Sequence, residues 1–391
     1  MSLEVVSLGC RLNLAESERL RAFLPHDLDL VVINSCAVTA EAVRQTRQAI
    51  RKARREHPEA RLLVTGCAAE IERTAIAAMP EVDGLVANAT KLDPRSWNVA
   101  PCLPTPDQSR HTRAFIAVQN GCDHACTFCV IPQGRGSSRS LPLDQVLLQI
   151  DRSMQLGARE AVLTGVDLTS WGHDLPEAPR LGALVAAVLD AFPALRRLRL
   201  SSVDGVEIDP LLFELIAGEP RLLPYLHLSL QHGNDLILKR MKRRHLRSDA
   251  LKLVADLKAR RPELAIGADL IAGFPTESTA AHADNLSIIA GLAVVHGHIF
   301  PYSRRPGTPA ALMPQVDGPT IKARAAELRA KVAAQRAEWL AGLIGRPLSV
   351  LAERDGTGHA ANFARVQLPP ATAAGSIVTV TPTRIIEGQL A

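Results

Sequence analysis

Gly121-Cys122-Asp123-His124-Ala125-Cys126-Thr127-Phe128-Cys129 follows an apolar, strand-like run, Phe115-Ile116-Ala117-Val118. Its cysteines, in C-x3-C-x2-C spacing, can hold three irons of a 4Fe–4S cluster and leave the fourth open to a small molecule. Four thiolates would close the cluster and suit it to electron transfer. The other reading is zinc, which usually wants four ligands in paired C-x2-C knuckles; no second knuckle lies nearby.

Working outward, strand patterns recur over 115–119, 160–164, 195–201, 225–230, 264–271 and 294–300, with helical patterns between them. Several end in polar or glycine residues, such as Thr164-Gly165-Val166-Asp167 and Ala272-Gly273-Phe274-Pro275. Six such βα units predict a partial (β/α)6 TIM-type barrel, active at the carboxyl ends of its strands. The cysteine loop follows its first strand, so cluster and pocket coincide.

Residues 1–99 alternate strand and helix: strands over 3–8, 28–33, 61–65 and 84–87, helices over 17–24, 39–56 and 70–78. This rhythm predicts an α/β unit with a doubly wound parallel sheet. Cys10, Cys36 and Cys67 each follow a strand, at the edge where open α/β sheets bind ligands. Either they are three buried structural thiols or they converge on a second cluster. Cys102 lies in a proline-rich linker, 100–112, and has no assigned role.

Beyond residue 341 short β-like runs (348–352, 364–368, 376–381, 385–386) alternate with turn residues and predict a small β-barrel over 341–391. Phe363 and Arg365 there are candidates for facing RNA. Arg44, Arg47, Arg51, Arg54 and Arg55 line one side of the helix over 39–56, either as phosphate contacts or as a solvated charged face.

The chain has 391 residues, 47% apolar and 22% charged, with a formal charge of +5. That suits a globular protein of two or three domains and is compatible with nucleic acid. A secretory start is absent and no run approaches the roughly 18 apolar residues of a membrane span. A cytoplasmic location, where thiols stay reduced, is therefore expected, with no membrane partner.

The C-x3-C-x2-C motif resembles that of the radical S-adenosylmethionine (SAM) enzymes. With Leu8-Gly9-Cys10-Arg11-Leu12-Asn13, Asn34-Ser35-Cys36-Ala37-Val38-Thr39, Thr65-Gly66-Cys67, His227-Leu228-Ser229-Leu230-Gln231-His232-Gly233 and Phe300-Pro301-Tyr302-Ser303-Arg304-Arg305-Pro306-Gly307-Thr308, the chain resembles the radical SAM methylthiotransferase family end to end. It departs at Ala68, where an aromatic often follows the cysteine, and at His232, where serine is commoner.

The resemblance implies an N-terminal methylthiotransferase domain (1–99), a radical SAM barrel (113–340) and a C-terminal RNA-binding TRAM-like β-barrel (341–391). It implies two 4Fe–4S clusters, one on Cys122, Cys126 and Cys129 and one on Cys10, Cys36 and Cys67, and it implies SAM, with Thr164, Gly165, Asp167, Ser201, Gln231 and Gly273 as candidate contacts. Reductive cleavage of SAM would give a radical that abstracts hydrogen from adenine C2, and the second cluster would deliver sulfur. Arg11-Leu12 after the first cysteine resembles the branch acting on threonylcarbamoyl-adenosine at position 37 of tRNA. The branch acting on isopentenyl-adenosine typically has Gln-Met there, and the ribosomal-protein branch Pro-Lys. Expected partners are the tRNA anticodon loop, a reductant such as flavodoxin or ferredoxin, and a sulfur donor, with the protein a monomer. A non-catalytic iron–sulfur RNA-binding or regulatory protein is the alternative from another class.

Overall fold

A computed structural model describes residues 3–25, 27–99 and 112–391. The linker over 100–112 and Cys102 therefore lie almost wholly outside the described residues. The chain opens with β1 (Leu3–Ser7), α1 (Arg11–Phe23), β2 (Leu30–Ser35), α2 (Ala40–Glu56), β3 (Arg61–Gly66), α3 (Cys67–Ile71), α4 (Arg73–Ala77) and β4 (Gly84–Leu85). The strands pair in parallel in the order β1-β2-β3-β4. Both faces are covered, because alternate residues of a strand point to opposite sides. Val31, Ile33, Leu62 and Val64 pack under α2 with Val43 and Ile50. Val32 and Leu63 face Leu20 and Phe23 of α1 on the other side. Helices on both faces match the expectation, but the strand order runs straight, without the reversal of a doubly wound sheet. The crevice at such a reversal is missing, so the shared carboxyl edge alone gathers the cysteines.

Next come β5 (Arg113–Ala117), β6 (Gln119–Asn120), α5 (Ile131–Arg135), β7 (Arg139–Ser140), α6 (Leu143–Gln155), β8 (Glu160–Thr164), α7 (Leu181–Ala191), β9 (Leu198–Leu200), α8 (Pro210–Gly218), β10 (Tyr225–Gln231), α9 (Asp235–Arg240), α10 (Arg247–Arg260), β11 (Ala265–Ala272), α11 (Thr279–Gly291), β12 (Val294–Pro301) and α12 (Gly318–Ala341). Two parallel sheets, β5-β8-β9 and β10-β11-β12, are joined by the single bridges Leu198–Leu222 and Val203–Leu228. Together they form a six-stranded partial barrel, and no pairing links β5 to β12 among the described residues. Outward-facing Leu226, Leu228, Ile266, Ala268 and Leu270 pack beneath the helices in one continuous core. The opposite faces of β10, β11 and β12 line the lumen. Helix α1 lies against β5 at the open side.

The chain ends in β13 (Leu348–Ala352), β14 (Thr357–Ala360), β15 (Arg365–Gln367), β16 (Ile377–Val380), β17 (Ile385–Ile386) and β18 (Gln389–Leu390), one sheet in the order β16-β13-β14-β15-β18-β17. Strands β14 and β18 escaped the sequence reading because they are short and nearly lack the branched apolar residues that signal a strand. Among the described residues no helix is long and apolar enough to cross a membrane.

Candidate functional site

Cys10 caps α1, Cys36 follows β2 and Cys67 opens α3, so all three sit at one edge of the N-terminal sheet. Two glycines make this possible. Gly9 and Gly66 both hold φ near +92°, which side-chain-bearing residues rarely adopt. A Cβ on Gly9 would lie 2.5 Å from Cys36 Sγ, and one on Gly66 would lie 2.4 Å from the Ser35 carbonyl. Cys10 is exposed, while Cys36 and Cys67 are buried. Burial, reinforced by the neighbouring thiols, pushes Cys36 up to about 11 and raises Cys67.

A buried ionic group lies beneath these thiols. Lys91 Nζ is 2.6 Å from Glu16 Oε2 and 3.0 Å from Asn34 Oδ1. Arg135, on α5 of the barrel, reaches Glu16 at 2.9 Å and Asn120 at 2.7 Å and also bonds Asn13. Burial opposes all three charges. It draws Lys91 below its ordinary value, whereas Glu16 and the cysteines carry Arg135 above its own. Glu16 stays below the usual carboxylate range against its burial because Lys91 and Arg135 flank it. Two cations against one carboxylate leave a buried positive excess facing the thiols. This donor set suits an anionic, thiolate-bound cluster, whose ligands must shed their protons on loading.

The second trio sits in the loop after β6. Cys122 Sγ is 3.9 Å from Asp167 Oδ2, Cys129 Sγ accepts from the Ile131 amide at 3.4 Å, and Arg243 Nη1 lies 3.7 Å from Cys126 Sγ. Burial, with Asp167 and the other two thiols, pushes Cys122 up to about 12; burial with Cys126 takes Cys129 to about 11. Only six cysteines are described, three in each set. The Cys122 set therefore fits a three-thiolate cluster with one open iron.

The two sets face each other. Gly134 of α5 packs on α3 so closely that a Cβ there would be 3.2 Å from Cys67 Cβ. Asn88 bonds the Gly134 carbonyl, and Cys67 is among the groups that raise the Cys129 thiol.

The expected SAM contacts stand at or just beyond the carboxyl ends of barrel strands, and Asp167 among them reaches the Cys122 loop. Thr164 ends β8 and Gly165 follows it; a Cβ on Gly165 would be 2.8 Å from Gln119 Oε1. Asp167 is bonded to His124 at 2.7 Å and Ser170 at 2.5 Å. Ser201 is buried with its hydroxyl unpartnered, and Gln231 stands at the end of β10 with φ +71°. Gly273 differs: its amide is already taken by Glu277, and Ile321 fills the space where a Cβ would sit. Its role here is to let the chain turn past α12.

The arginines of α2 divide. Arg44, Arg47 and Arg51, with Arg305 from the loop after β12, line a cleft of about 390 Å³ that also holds Gln48 and Glu72. Arg47 pairs with Glu72 at 2.7 Å. Arg54 turns away and ties Pro58, Ala60, Glu81 and Asp83 together; Arg55 is exposed. Charge reversal at Arg44 and Arg51 should flatten the salt dependence of RNA binding by roughly one unit of slope per lost contact. Arg54→Ala should leave that slope unchanged and cost about 1–3 kcal/mol in denaturant unfolding, because several carbonyls lose a charged donor. Equal slopes for both variants would mean that the cleft takes no phosphate.

Phe363 does not face outward from the small sheet. It points to the barrel floor, stacked on Tyr225 at 4.7 Å, beside His296 at 5.5 Å. Arg365 stays at the surface with Asp355 at 2.8 Å. Sequence reading gave no role to Asn13, Glu16, Lys91, His124 or Arg135. Asn13 and His124 stood in quoted motifs, and the other three carry no local signal; Arg243 lies in the basic segment 239–247, readable as a phosphate contact or a solvated face, and here it faces a cysteine.

Comparison with known proteins places the chain in a class first. Residues 116–284 match the radical SAM superfamily, and residues 2–87 match the uncharacterized protein family UPF0004. A radical S-adenosylmethionine methyltransferase, TsrM, from Kitasatospora setae shares the fold with a TM-score of 0.54 at 15% identity, over 76% of this chain and 68% of that one. Radical SAM enzymes hold a 4Fe–4S cluster and SAM. The chain belongs, more narrowly, to the radical SAM methylthiotransferase family. It is 43% identical to the threonylcarbamoyladenosine tRNA methylthiotransferase MtaB of Rickettsia prowazekii over 99% of this chain and 96% of that protein. MtaB of Aquifex aeolicus is 33% identical over 90% and 92%. The tRNA-2-methylthio-N(6)-dimethylallyladenosine synthase of Paracoccus denitrificans is 31% identical over 90% and 86%.

Proposed function

We propose that this enzyme inserts sulfur and a methyl group at C2 of N6-threonylcarbamoyl-adenosine at position 37 of tRNA. The observation that carries the reading is the closeness of the two cysteine sets across α3 and α5, which lets one base meet both. The Rickettsia relative, named for that substrate and similar over nearly the whole chain, supports the choice among methylthiolated targets.

When bound, a cluster with SAM supplies the one-electron chemistry that opens an unactivated C–H bond, and a second cluster with a further SAM supplies sulfur and methyl. Cys122, Cys126 and Cys129 would hold the first, and Cys10, Cys36 and Cys67 the second. Arg135 and Lys91 offset the charge of the second set, and Arg243 that of the first. Asp167, Ser201, Gln231 and Thr164 are suited to orient SAM, whose ammonium and carboxylate need polar partners. Arg44, Arg47, Arg51 and Arg305 would hold phosphate beside the Cys36 loop, where Ala40 bonds Ser303 at 3.0 Å. A splayed loop base fits such a junction, and a base stacked in a duplex does not.

We assign 1–99 as the methylthiotransferase unit, 113–340 as the barrel and 341–391 as a TRAM-like module. The reading also includes a cytoplasmic monomer served by a reductant such as flavodoxin or ferredoxin and by a sulfur donor. Mass spectrometry of tRNA nucleosides from a deletion strain tests it. The 2-methylthio-threonylcarbamoyl nucleoside should vanish and the isopentenyl-type one remain. Loss of only the isopentenyl product, or of a mark on a ribosomal protein, would move the enzyme to another branch.

A further inference from the structure

The barrel lumen has a polar floor that the reading so far leaves unused. Tyr225, His227, Asp269, His296 and His298 occupy its inward-facing positions. Asp269 Oδ1 is 3.0 Å from both His227 Nε2 and His298 Nδ1, and the Tyr225 hydroxyl is 2.9 Å from His227 Nδ1. The Phe363 ring closes the floor from the C-terminal sheet. Phe363 holds φ +71°, which is costly for a bulky residue and marks a position imposed by its surroundings.

The arginines around that ring are unequal. Arg199 lies 5.1 Å from its centroid, and with Arg197 it is bound to Glu160 at 2.8 Å. Arg113 lies 5.9 Å away and is bound to Glu353 at 2.6 Å. Arg11 lies 5.5 Å from the same ring, half-buried, and no carboxylate or carbonyl bonds its guanidinium among the described residues. Arg336 of α12, near Tyr225, likewise has no carboxylate partner. The nearby anions are already engaged, Glu160 by two arginines and Asp269 by two histidines. A half-buried cation facing an aromatic floor, with every neighbouring carboxylate committed, is built for an incoming anion. The lumen is open to one: the His298 side chain, although inward-facing and mid-strand, is 60% exposed.

We propose that Arg11, over the Phe363 ring, binds the carboxylate of the N6 substituent of the target adenosine and so selects an acidic substituent over an apolar one. This rests on the substrate reading above. Arg11 directly follows Cys10, so the selecting group is tied to the site assigned to sulfur delivery. In adenine, C2 and C6, which bears N6, flank the same ring nitrogen, so one base spans both. An isopentenyl group would leave the guanidinium without a partner in a desolvated site, and a site built for a polar group rejects an analogue lacking it strongly.

The test uses iron-loaded full-length protein and anticodon stem-loops bearing threonylcarbamoyl-adenosine, its carboxyl methyl ester, or plain adenosine. Anaerobic fluorescence anisotropy reads binding. Wild type should bind the acid about ten- to hundredfold more tightly than the ester or adenosine. Arg11→Gln, with iron content intact, should lose that preference, and Arg11→Lys should recover part of it. Equal wild-type affinity for acid and ester overturns the proposal, even if Arg11→Gln fails to fold; so does an Arg11→Gln protein that keeps the preference. If wild type methylthiolates acid and ester stem-loops equally, the substrate reading stands and the Arg11 assignment falls. If it methylthiolates neither but acts on an isopentenyl stem-loop, both fall.

Discussion

Replacing Cys10, Cys36 and Cys67 together by alanine should abolish methylthiolation while SAM is still cleaved to 5′-deoxyadenosine. The two sets are held by different units and share no ligand. Anaerobically reconstituted wild type should carry about eight irons, and the triple variant about four. The converse variant, lacking Cys122, Cys126 and Cys129, should also fall to about four irons but lose both SAM cleavage and methylthiolation. Complete loss of 5′-deoxyadenosine in a folded Cys10/Cys36/Cys67 variant would refute the division of labour. Alanine is small enough for all three positions, so the change should not itself disturb the Gly9 and Gly66 turns.

Arg135→Met should give a large loss of stability for a single change at a charged residue. It removes a buried guanidinium that joins α5 to Glu16, Asn13 and Asn120. Breaking a buried ion pair by removing one partner costs about 3–5 kcal/mol; Lys91 stays bonded to Glu16, so the lower end is expected. Because Glu16 is held below the usual carboxylate value, its contribution is present above that value and is lost as pH falls through its folded one. The gap between wild type and variant in urea unfolding should therefore be wide at neutral pH and narrow in acid. A gap that widens in acid would mean that Glu16 is not the partner that matters.

The N-terminal cysteine set was legible because Cys10, Cys36 and Cys67 each stand where a strand pattern stops, beside glycine or serine, and local patterning fixes strand ends; the Cys122 set was legible from its C-x3-C-x2-C spacing. The barrel was legible because six apolar runs end in polar turns. What joins the parts was not. Glu16 and Arg135 are 119 residues apart, and nothing in either neighbourhood announces the other. Arg54 reads as one more positive charge on a basic face, yet its reach to four backbone and side-chain acceptors makes it a brace. Phe363 looked like a surface aromatic because a three-residue strand nearby carries no clue to the barrel it meets. Gly273 carried the mark of a ligand-binding turn, but its amide is spoken for by a carboxylate four residues on.

Among the described residues strand β5 ends its sheet and leaves a row of backbone donors and acceptors that β12 does not pair. Unpaired strand edges invite other chains and are hazardous while a large protein is still being made. Here α1, lying against β5, is translated about a hundred residues earlier, a lead of about 5–20 s on the ribosome. The cover for the barrel's exposed edge thus emerges before the edge itself. The order of the units along the chain is a safeguard during synthesis as well as an arrangement for chemistry.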